Sequence, residues 1–327
     1  MKKHEGIWTL VILPLLFWVF AGFLSETTIA AEKDFPKKEI TFLINYAAGG
    51  GRDTLARGVG KTMSKHLGVP MVVMNVPGAG GARGFTQLYR SAPDGYTISV
   101  GAGTEIVAQI VEKQDYDVTK LTYFGRIQHA PLYLFVKADS PFRSLKDFKK
   151  FGKPVRCGCF SLTSYSSVQP MVIAKREDFP LTIVGAYQSN AATILALVRG
   201  EIEVTGSQLN SALAYVKTGQ IRPVVTFDQK RSPDFPDVPT AGEQGHKDLD
   251  ALAIDSWVMG PPGVPKTQSQ ILEDALMKTL KEPEFVAWAK GAGIDVDPLG
   301  GEGTAKLILN LFELLNPYKA EIQKYLK

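Results

Sequence analysis

Two glycine-rich turns contain the residues of this sequence best suited to binding chemistry. Residues 47–51 follow one β-type run and residues 77–81 follow the next, and helical spacing resumes after each turn. The start of a helix presents unpaired N–H groups and the positive end of the helix dipole, which favours an anion. Glycine allows the backbone to approach a ligand without a Cβ in the way. The turns therefore predict an anion site, with tight strand-to-helix connections that bind nothing as the equal alternative.

Arg52 adds a cation beside the first turn, and Arg83 adds one in the second. A positive side chain in the first turn of a helix opposes the dipole by about 0.3–1 kcal/mol, so a nearby anion is expected to offset it. Asp53 is the simpler partner for Arg52, and a bound carboxylate is the alternative.

Enzyme motifs are incomplete in this sequence, so no catalytic residue is predicted. Gly60-Lys61-Thr62 resembles the end of a phosphate-binding loop, but that motif needs glycine where Leu55 stands. The run 78–84 places its last glycine one residue late for a dinucleotide fingerprint. Histidines 66, 129 and 246 have no catalytic motif beside them. We expect neither a metal ion nor a cofactor.

Cys157 and Cys159 are the two cysteines of the chain. A zinc site normally needs two residues between its cysteines and a second ligand pair. A disulfide across one residue would be strained, although an oxidising compartment allows it. Two small buried thiols are the preferred interpretation.

Composition excludes several classes of protein. The chain has 327 residues, 45% hydrophobic and 21% charged, which is typical of a globular protein with room for two domains. The net charge of +4 is spread along the sequence without a basic stripe. A nucleic acid is therefore not an expected partner.

The elements that must position these turns alternate between strand and helix. Asp53 and Thr54 are expected to cap the first helix, on which Leu55, Val59 and Met63 recur at helical spacing. Strands separated by helices predict an α/β fold with parallel sheets and helices on both faces. The predicted strands are 39–46, 71–75, 96–100, 154–159, 182–186, 202–205 and 222–227, and predicted later helices are 191–199, 212–217, 268–280, 284–291 and 302–325.

Residues 1–30 are predicted to be a signal peptide. Lys2 and Lys3 precede an apolar core at 7–24, and the small residues Thr28 and Ala30 have the spacing that signal peptidase prefers. Cleavage is expected after Ala30 or the next residue, so the protein is expected in the periplasm. An uncleaved membrane anchor is the alternative, because the apolar core approaches the roughly 17–25 residues of a spanning helix.

Several stretches of the chain resemble the substrate-binding receptors of tripartite tricarboxylate transporters, often called the Bug family. They occur in family order and are residues 35–40, 47–57, 75–81, 92–97, 230–240, 256–257 and 260–265. The resemblance implies a two-lobed periplasmic-binding-protein fold of type II, the Venus flytrap, with mixed, mostly parallel sheets and helices on both faces. Lobe 1 would comprise residues 35–136 and 256–327, and lobe 2 residues 137–255.

The resemblance also implies which residues hold the ligand. In the family, the two glycine turns of the first lobe hold one carboxylate, and the second lobe offers a Gly-Ser-rich turn at another helix start. Tyr187 keeps the usual aromatic residue, whereas Ser207 stands where the family often has Asp. The expected ligand-binding residues are Tyr46, Ala47, Ala48, Gly49, Asp53, Gly78, Ala79, Gly80, Gly103, Thr104, Phe160, Ser161, Thr163, Ser164, Tyr187 and Ser207.

The expected ligand is a small organic carboxylate, and the expected partners are the large and small membrane subunits of a permease that receives it. A serine at position 207 favours an organic acid over an amino acid, because an ammonium group would lack a partner there. Ligand contacts with both lobes would favour the closed state. The alternatives are an exported enzyme acting on a small carboxylate or phosphate, and a sensory receptor that presents its ligand to a membrane partner.

Overall fold

Two mixed β-sheets with surrounding helices make up the part of the chain that the computed structural model describes, residues 35–185 and 187–326. The predicted signal peptide and its cleavage site lie outside the described residues. All strands and helices below belong to one structural unit, Lys38–Lys327. None of the described helices has the length and apolar character that crossing a membrane requires.

The strands of the first sheet are β1 (Ile40–Ile44), β2 (Met71–Asn75), β3 (Thr97–Gly101), β4 (Thr122–Ala130), β10 (Ile254–Gly260) and β11 (Val296–Gly300). Their order is β11-β4-β10-β3-β1-β2. β1 pairs in parallel with β2 and β3, whereas β10 runs antiparallel to β3 and β4, and β11 runs antiparallel to β4. Phe42 and Leu43 of β1 are both fully buried, as expected for a parallel strand covered on two faces.

The strands of the second sheet are β5 (Leu132–Lys137), β6 (Val155–Gly158), β7 (Leu181–Val184), β8 (Val204–Gln208) and β9 (Ile221–Phe227). Their order is β7-β6-β8-β5-β9. β6 pairs in parallel with β7 and β8, and β5 runs antiparallel to β8 and β9. The α/β class with mixed sheets is confirmed, and the antiparallel pairing of β4, β5, β10 and β11 is a feature that the alternation of strands and helices did not predict.

Most helices follow the carboxyl end of a strand, which places their positive ends along the sheet edges. The first begins directly after the turn that follows β1, and the next two follow β2 and β3 in the same way. The helices are α1 (Gly51–Leu67), α2 (Ala82–Tyr89), α3 (Thr104–Val111), α4 (Tyr165–Glu177), α5 (Asn190–Arg199), α6 (Leu209–Lys217), α7 (Lys266–Thr279), α8 (Pro283–Gly291), α9 (Gly301–Leu315) and α10 (Lys319–Lys324).

Two details of the predicted helices were wrong. The N-cap of α1 is Gly50 rather than Asp53 and Thr54, because Asp53 lies within the first turn and its side chain folds back towards the preceding turn. The long helix predicted over 302–325 is divided into α9 and α10 by a short 3₁₀ turn, Asn316–Tyr318. Pro317 lies in that turn, and proline cannot donate the backbone hydrogen bond that a continuous helix needs.

The chain passes from the first sheet to the second at Pro131, between β4 and β5, and returns between β9 and β10. His129 lies beside both connections: its Nδ1 is 2.8 Å from Oδ1 of Asp255 in β10, and its Nε2 is 3.8 Å from Oδ1 of Asp228, directly after β9. Interactions with Asp228 and then Asp255 raise the pKa of His129 to about 9. We call these three residues the His129 bridge; it links the two strand connections electrostatically.

Candidate functional site

Asp53 organises the turn between β1 and α1. This residue is only 3% exposed. The N–H of Gly49 and Nε of Arg57 each donate to Oδ2 at 2.9 Å, and Nδ2 of Asn75 donates to Oδ1 at 2.9 Å. The hydrogen bonds from Arg57, Gly49 and Asn75, in that order, hold the pKa of Asp53 well below its usual range. This carboxylate therefore joins the glycine turn to the end of β2.

Arg52 does not use Asp53 as its partner, because Asp53 pairs with Arg57; the alternative, a bound carboxylate, stays a prediction. Its guanidinium lies over the ring of Tyr46, 4.3 Å from the centroid, and its Nη2 donates to Oγ1 of Thr104 at 3.2 Å. The hydroxyl of Tyr46 is 3.0 Å from the same oxygen and donates to the carbonyl of Gly80 at 3.4 Å. These contacts hold together the turns that follow β1, β2 and β3.

The third turn, between β3 and α3, depends on two glycines. Gly103 has φ +89°, and a Cβ there would lie 2.6 Å from the ring of Tyr165 in α4. A Cβ on Gly101 would lie 2.2 Å from Oε1 of Glu105 and 2.3 Å from Nε1 of Trp257. The missing side chains therefore make room for a buried carboxyl group and two aromatic rings behind the turn.

Glu105 is that buried carboxyl group, and it is only 2% exposed. The N–H of Ala102 donates to its Oε1 at 3.0 Å, and the hydroxyl of Thr104 lies 3.4 Å from its Oε2. Burial raises the pKa of Glu105, and the positive charge of Arg52 and nearby backbone N–H groups offset part of that effect. Glu105 thus differs from Asp53, whose oxygens accept hydrogen bonds from three strong donors.

The second sheet contributes the turn between β6 and α4. The hydroxyls of Ser164 and Ser167 donate to the carbonyl of Ser161 at 2.8 and 2.6 Å, which fixes the turn at the helix start. The hydroxyls of Ser161 and Thr163 lie 3.5 Å apart. Phe160 is 42% exposed, which is unusual for so large an apolar side chain. The turn therefore presents hydroxyls and one aromatic ring.

A cleft of about 500 Å³ lies between the turns of the two sheets. Six of the predicted ligand-binding residues line it: Ala79, Gly80, Thr104, Phe160, Ser161 and Thr163. The cleft wall also contains residues that the sequence analysis did not single out as ligand-binding: Ala82, Phe85, Glu105, Ala108, Val111, Glu112, Gln114, Tyr116, Cys159, Leu162, Gly185 and Leu326.

The other predicted residues lie behind this wall or away from it. Ala47, Ala48, Gly49, Gly78 and Gly103 belong to the three turns after β1, β2 and β3, which Tyr46 and Asp53 brace, and Ser164 belongs to the turn between β6 and α4. Tyr187 packs beside Gly158 at the end of β6, where a Cβ would lie 3.3 Å from its ring. Ser207 is fully buried in β8 opposite Tyr133. The preference for an organic acid drawn from Ser207 stays a prediction. The acidic residues of the cleft wall are Glu105 and Glu112.

The cleft wall is suited to binding rather than to nucleophilic chemistry. Among the described lining residues are hydroxyls, an amide, two carboxyl groups and the thiol of Cys159, but no histidine or lysine. Cys157 and Cys159 are both free and buried, as the preferred interpretation had it, and burial raises the pKa of each thiol. Across residues 35–185 and 187–326, no group of three or more His, Cys, Asp or Glu side chains could hold a metal ion.

The sequence matches the family model of the tripartite tricarboxylate transporter family receptor, TctC, over residues 55–322. The chain belongs to this family. TctC-type proteins are periplasmic solute-binding receptors rather than enzymes, and the resemblance to Bug receptors is confirmed. BugT of Bordetella pertussis is 26% identical over 264 residues, 76% of this chain and 79% of that protein. A UPF0065 protein of Cupriavidus necator is 28% identical over 269 residues, 81% of each chain.

Solved structures of similar proteins share the fold. A TctC solute-binding protein from Polaromonas has a TM-score of 0.77 at 22% identity and covers 89% of this chain and 99% of that one. MatC from Rhodopseudomonas palustris with bound malate has a TM-score of 0.62 at 24% identity, covering 90% and 100%. A second R. palustris protein, with adipate, has a TM-score of 0.66 at 21% identity, covering 88% and 98%.

Proposed function

We propose that this protein is a periplasmic receptor that captures a small organic carboxylate in the cleft and delivers it to a tripartite tricarboxylate-type permease with large and small membrane subunits. The observation that carries the proposal is the convergence of three helix starts on one cleft. Residues at or just before the starts of α2, α3 and α4 all line it. Unpaired N–H groups and dipole ends from three helices would favour a negative ligand.

The side chains around the cleft support the same ligand class. The hydroxyls of Thr104, Ser161 and Thr163 can donate to carboxylate oxygens. The guanidinium of Arg52 lies directly behind Thr104 and adds positive charge. Two proteins with the same fold have solved structures with malate and with adipate, which supports a carboxylate of this size.

We propose that the two sheets are the two lobes and that ligand binding closes them. The chain passes between the sheets at Pro131 and again between β9 and β10, a few residues from the divisions expected at 136 and 255. A ligand that contacts both walls of the cleft would shift the population towards the closed state. The signal peptide and the permease partners are proposed from the N-terminal sequence and from the family.

The test combines ligand release with binding measurements. The purified protein would be denatured and the released small molecules identified by mass spectrometry, followed by calorimetric titration with mono-, di- and tricarboxylates. We expect one carboxylate to bind, to raise the melting temperature with its concentration, and to be recovered unchanged. Failure of every carboxylate to bind would contradict the proposal, and chemical conversion of the ligand would favour an enzyme.

A matched pair of variants ties the binding to the cleft. Thr104→Val removes the hydroxyl that receives the hydrogen bond from Arg52, and we expect about tenfold weaker carboxylate binding. Thr54→Val makes the same change at an exposed position on α1 outside the cleft wall, and its affinity should equal that of the unmodified protein. Equal affinities in both variants would place the binding site elsewhere.

A further inference from the structure

Glu105 is an unusual group to find in the wall of a carboxylate site. It lines the cleft from the first turn of α3, and it is almost fully buried. A ligand carboxylate beside an ionised Glu105 would place two negative charges together in a poorly solvated place. Either the ligand is repelled, or the Glu105 carboxyl carries a proton when the ligand is bound.

The donors around Glu105 are groups that a ligand carboxylate would compete for. The N–H of Ala102 donates to its Oε1 at 3.0 Å, the hydroxyl of Thr104 donates to its Oε2 at 3.4 Å, and the backbone N–H groups of Gly103 and of Glu105 itself also stabilise the ionised form. A ligand carboxylate at the start of α3 would share the hydroxyl of Thr104 and the charge of Arg52, which leaves the ionised form of Glu105 less well compensated. A protonated carboxyl group would instead offer an O–H donor, which suits a ligand oxygen that accepts.

The groups around Glu105 include one cation and several phenols. Arg52, from α1, is the positive charge that acts on it, and the hydroxyl of Tyr116 donates to its main-chain carbonyl at 3.4 Å. Burial raises the pKa of Tyr116, Tyr123 and Tyr165, so these phenols are neutral at physiological pH. The titratable and charged groups around Glu105 are Arg52 and Tyr46 from the first-turn region, Tyr116 after α3, Tyr123 from β4, Tyr165 from α4, and Glu112 on α3 itself.

We infer that Glu105 is a specificity-determining residue of the proposed carboxylate site, and that capture of a carboxylate takes up one proton from solvent onto its side chain. This inference rests on the proposed function. When the site is empty, Arg52 favours the ionised form of Glu105. A bound carboxylate competes for the positive charge of Arg52 and adds a negative charge, so both effects move the proton onto Glu105. The O–H bond of Glu105 is the one covalent bond that forms, and it donates to the ligand.

The direct test is calorimetric titration of the full chain with adipate and with malate. Titrations in two buffers of different ionisation enthalpy, at about pH 6 and about pH 8, report the number of protons taken up once the fraction of ligand that is still monoprotonated near pH 6 is subtracted. We expect an uptake that approaches one proton and an affinity that weakens by up to tenfold per pH unit. Zero proton uptake together with a pH-independent affinity would overturn the inference while leaving the proposed function standing.

Glu105→Gln supplies a neutral side chain that still donates a hydrogen bond. We expect this variant to bind adipate or malate without proton uptake and with an affinity that does not change between about pH 6 and about pH 8. Glu302→Gln is the control, because Glu302 also lies in the first turn of a helix but is exposed and outside the cleft. The control should keep the proton uptake of the unmodified protein.

Two other outcomes are decisive as well. Preferential binding of amino acids, lost in Glu105→Gln, would mean that Glu105 stays ionised and pairs with an ammonium group, which overturns the inference. No binding of any carboxylate by the unmodified protein would refute the proposed function and the inference with it. If Glu105→Gln fails to fold, the two-buffer titration of the unmodified protein still decides the question.

Discussion

Asp53 and Glu105 are both buried carboxyl groups in the first turn of a helix that follows a strand of the same sheet. Asp53 accepts hydrogen bonds from Gly49, Arg57 and Asn75, and its pKa is lowered. Glu105 interacts with the backbone N–H groups of Ala102, Gly103 and Glu105 itself and with the hydroxyl of Thr104, and burial raises its pKa.

The comparison distinguishes a carboxylate that stabilises the turns, Asp53, from an acidic residue that lines the cleft, Glu105. All strong donors near Asp53 are already used within the protein, so its charge stabilises the turn and is not available to a ligand. Glu105 lines the cleft, and its donors are backbone N–H groups and the hydroxyl of Thr104. Position relative to a helix start is therefore a poor guide to function, whereas a charged hydrogen-bond donor such as Arg57 beside Asp53 is a better one.

Neutralising Asp53 is expected to have the largest effect, a loss of stability that neutralising Glu105 does not cause. Asp53→Asn places amide hydrogens against the donors of Arg57 and Gly49, and we expect the free energy of unfolding to fall by about 3 kcal/mol. Glu105→Gln should change it by less than about 1 kcal/mol, because burial disfavours the charge that this substitution removes, whereas Arg52 favours it. Urea denaturation at neutral pH measures both, and equal losses would refute the comparison.

Disrupting the His129 bridge is expected to lower the free energy of unfolding by an intermediate amount, because the bridge lies at the strand connections and not at the cleft. The pKa of His129 is raised above its unfolded value, so its stabilisation is complete below about pH 6.5 and is lost as the pH rises through about 9. We expect His129→Gln to lower the free energy of unfolding by about 1.5 kcal/mol at pH 6 and by less at pH 10. His66→Gln is the control, since His66 lies 3.6 Å from a partly exposed Glu282. A loss from His129→Gln that is the same at both pH values would contradict the assignment.

The two carboxyl groups should also give opposite dependences of stability on pH. The pKa of Asp53 is lowered, so its contribution is present above its unfolded value near 3.8 and is lost as the pH falls. The pKa of Glu105 is raised, so its contribution is present below 4.5 and is lost as the pH rises through its folded value. Relative to the unmodified protein, Glu105→Gln should gain stability as the pH rises from about 4 to 8. A difference that stays constant over this range would contradict the raised pKa of Glu105.

The smallest expected effect sharpens the role of Arg52. In the unmodified protein, the positive charge of Arg52 favours the ionised form of Glu105. Removing that charge in Arg52→Gln should therefore raise the pKa of Glu105 further. The pH at which carboxylate binding weakens should then move upward by about one unit or less. Calorimetric titrations over a pH series check this, and a downward movement would contradict the assigned coupling.

The sequence predicted the glycine turns and the alternating elements β1-α1-β2-α2-β3 because their apolar periods are clear and glycine marks each connection. It did not predict β4, β5, β10 and β11, whose antiparallel pairing is decided by contacts between distant residues. α4 was also missed, because its first turn is rich in serine and Pro170 lies inside it.

Local sequence likewise predicted some residues of the site but not those whose burial depends on distant parts of the chain. Thr104 and Ser161 could be expected from the turns that carry them, and both line the cleft. Glu105 was missed because an acidic residue in the first turn of a helix is ordinary, and nothing local indicates that it is buried. The partner of Asp53 had a local signal, Arg57 four residues later on the same helix, which favours an ion pair within α1.

The central claim is that a carboxylate binds between the turns of the two sheets, against Thr104 and Glu105 and not against Asp53. A crystal structure of the protein with adipate or malate tests it most directly. We expect carboxylate oxygens within about 3 Å of donors at Gly80, Thr104 or Ser161, with the hydrogen bonds of Asp53 unchanged. A ligand bound to Asp53, or one held against Tyr187 and Ser207 away from Thr104, would contradict the account.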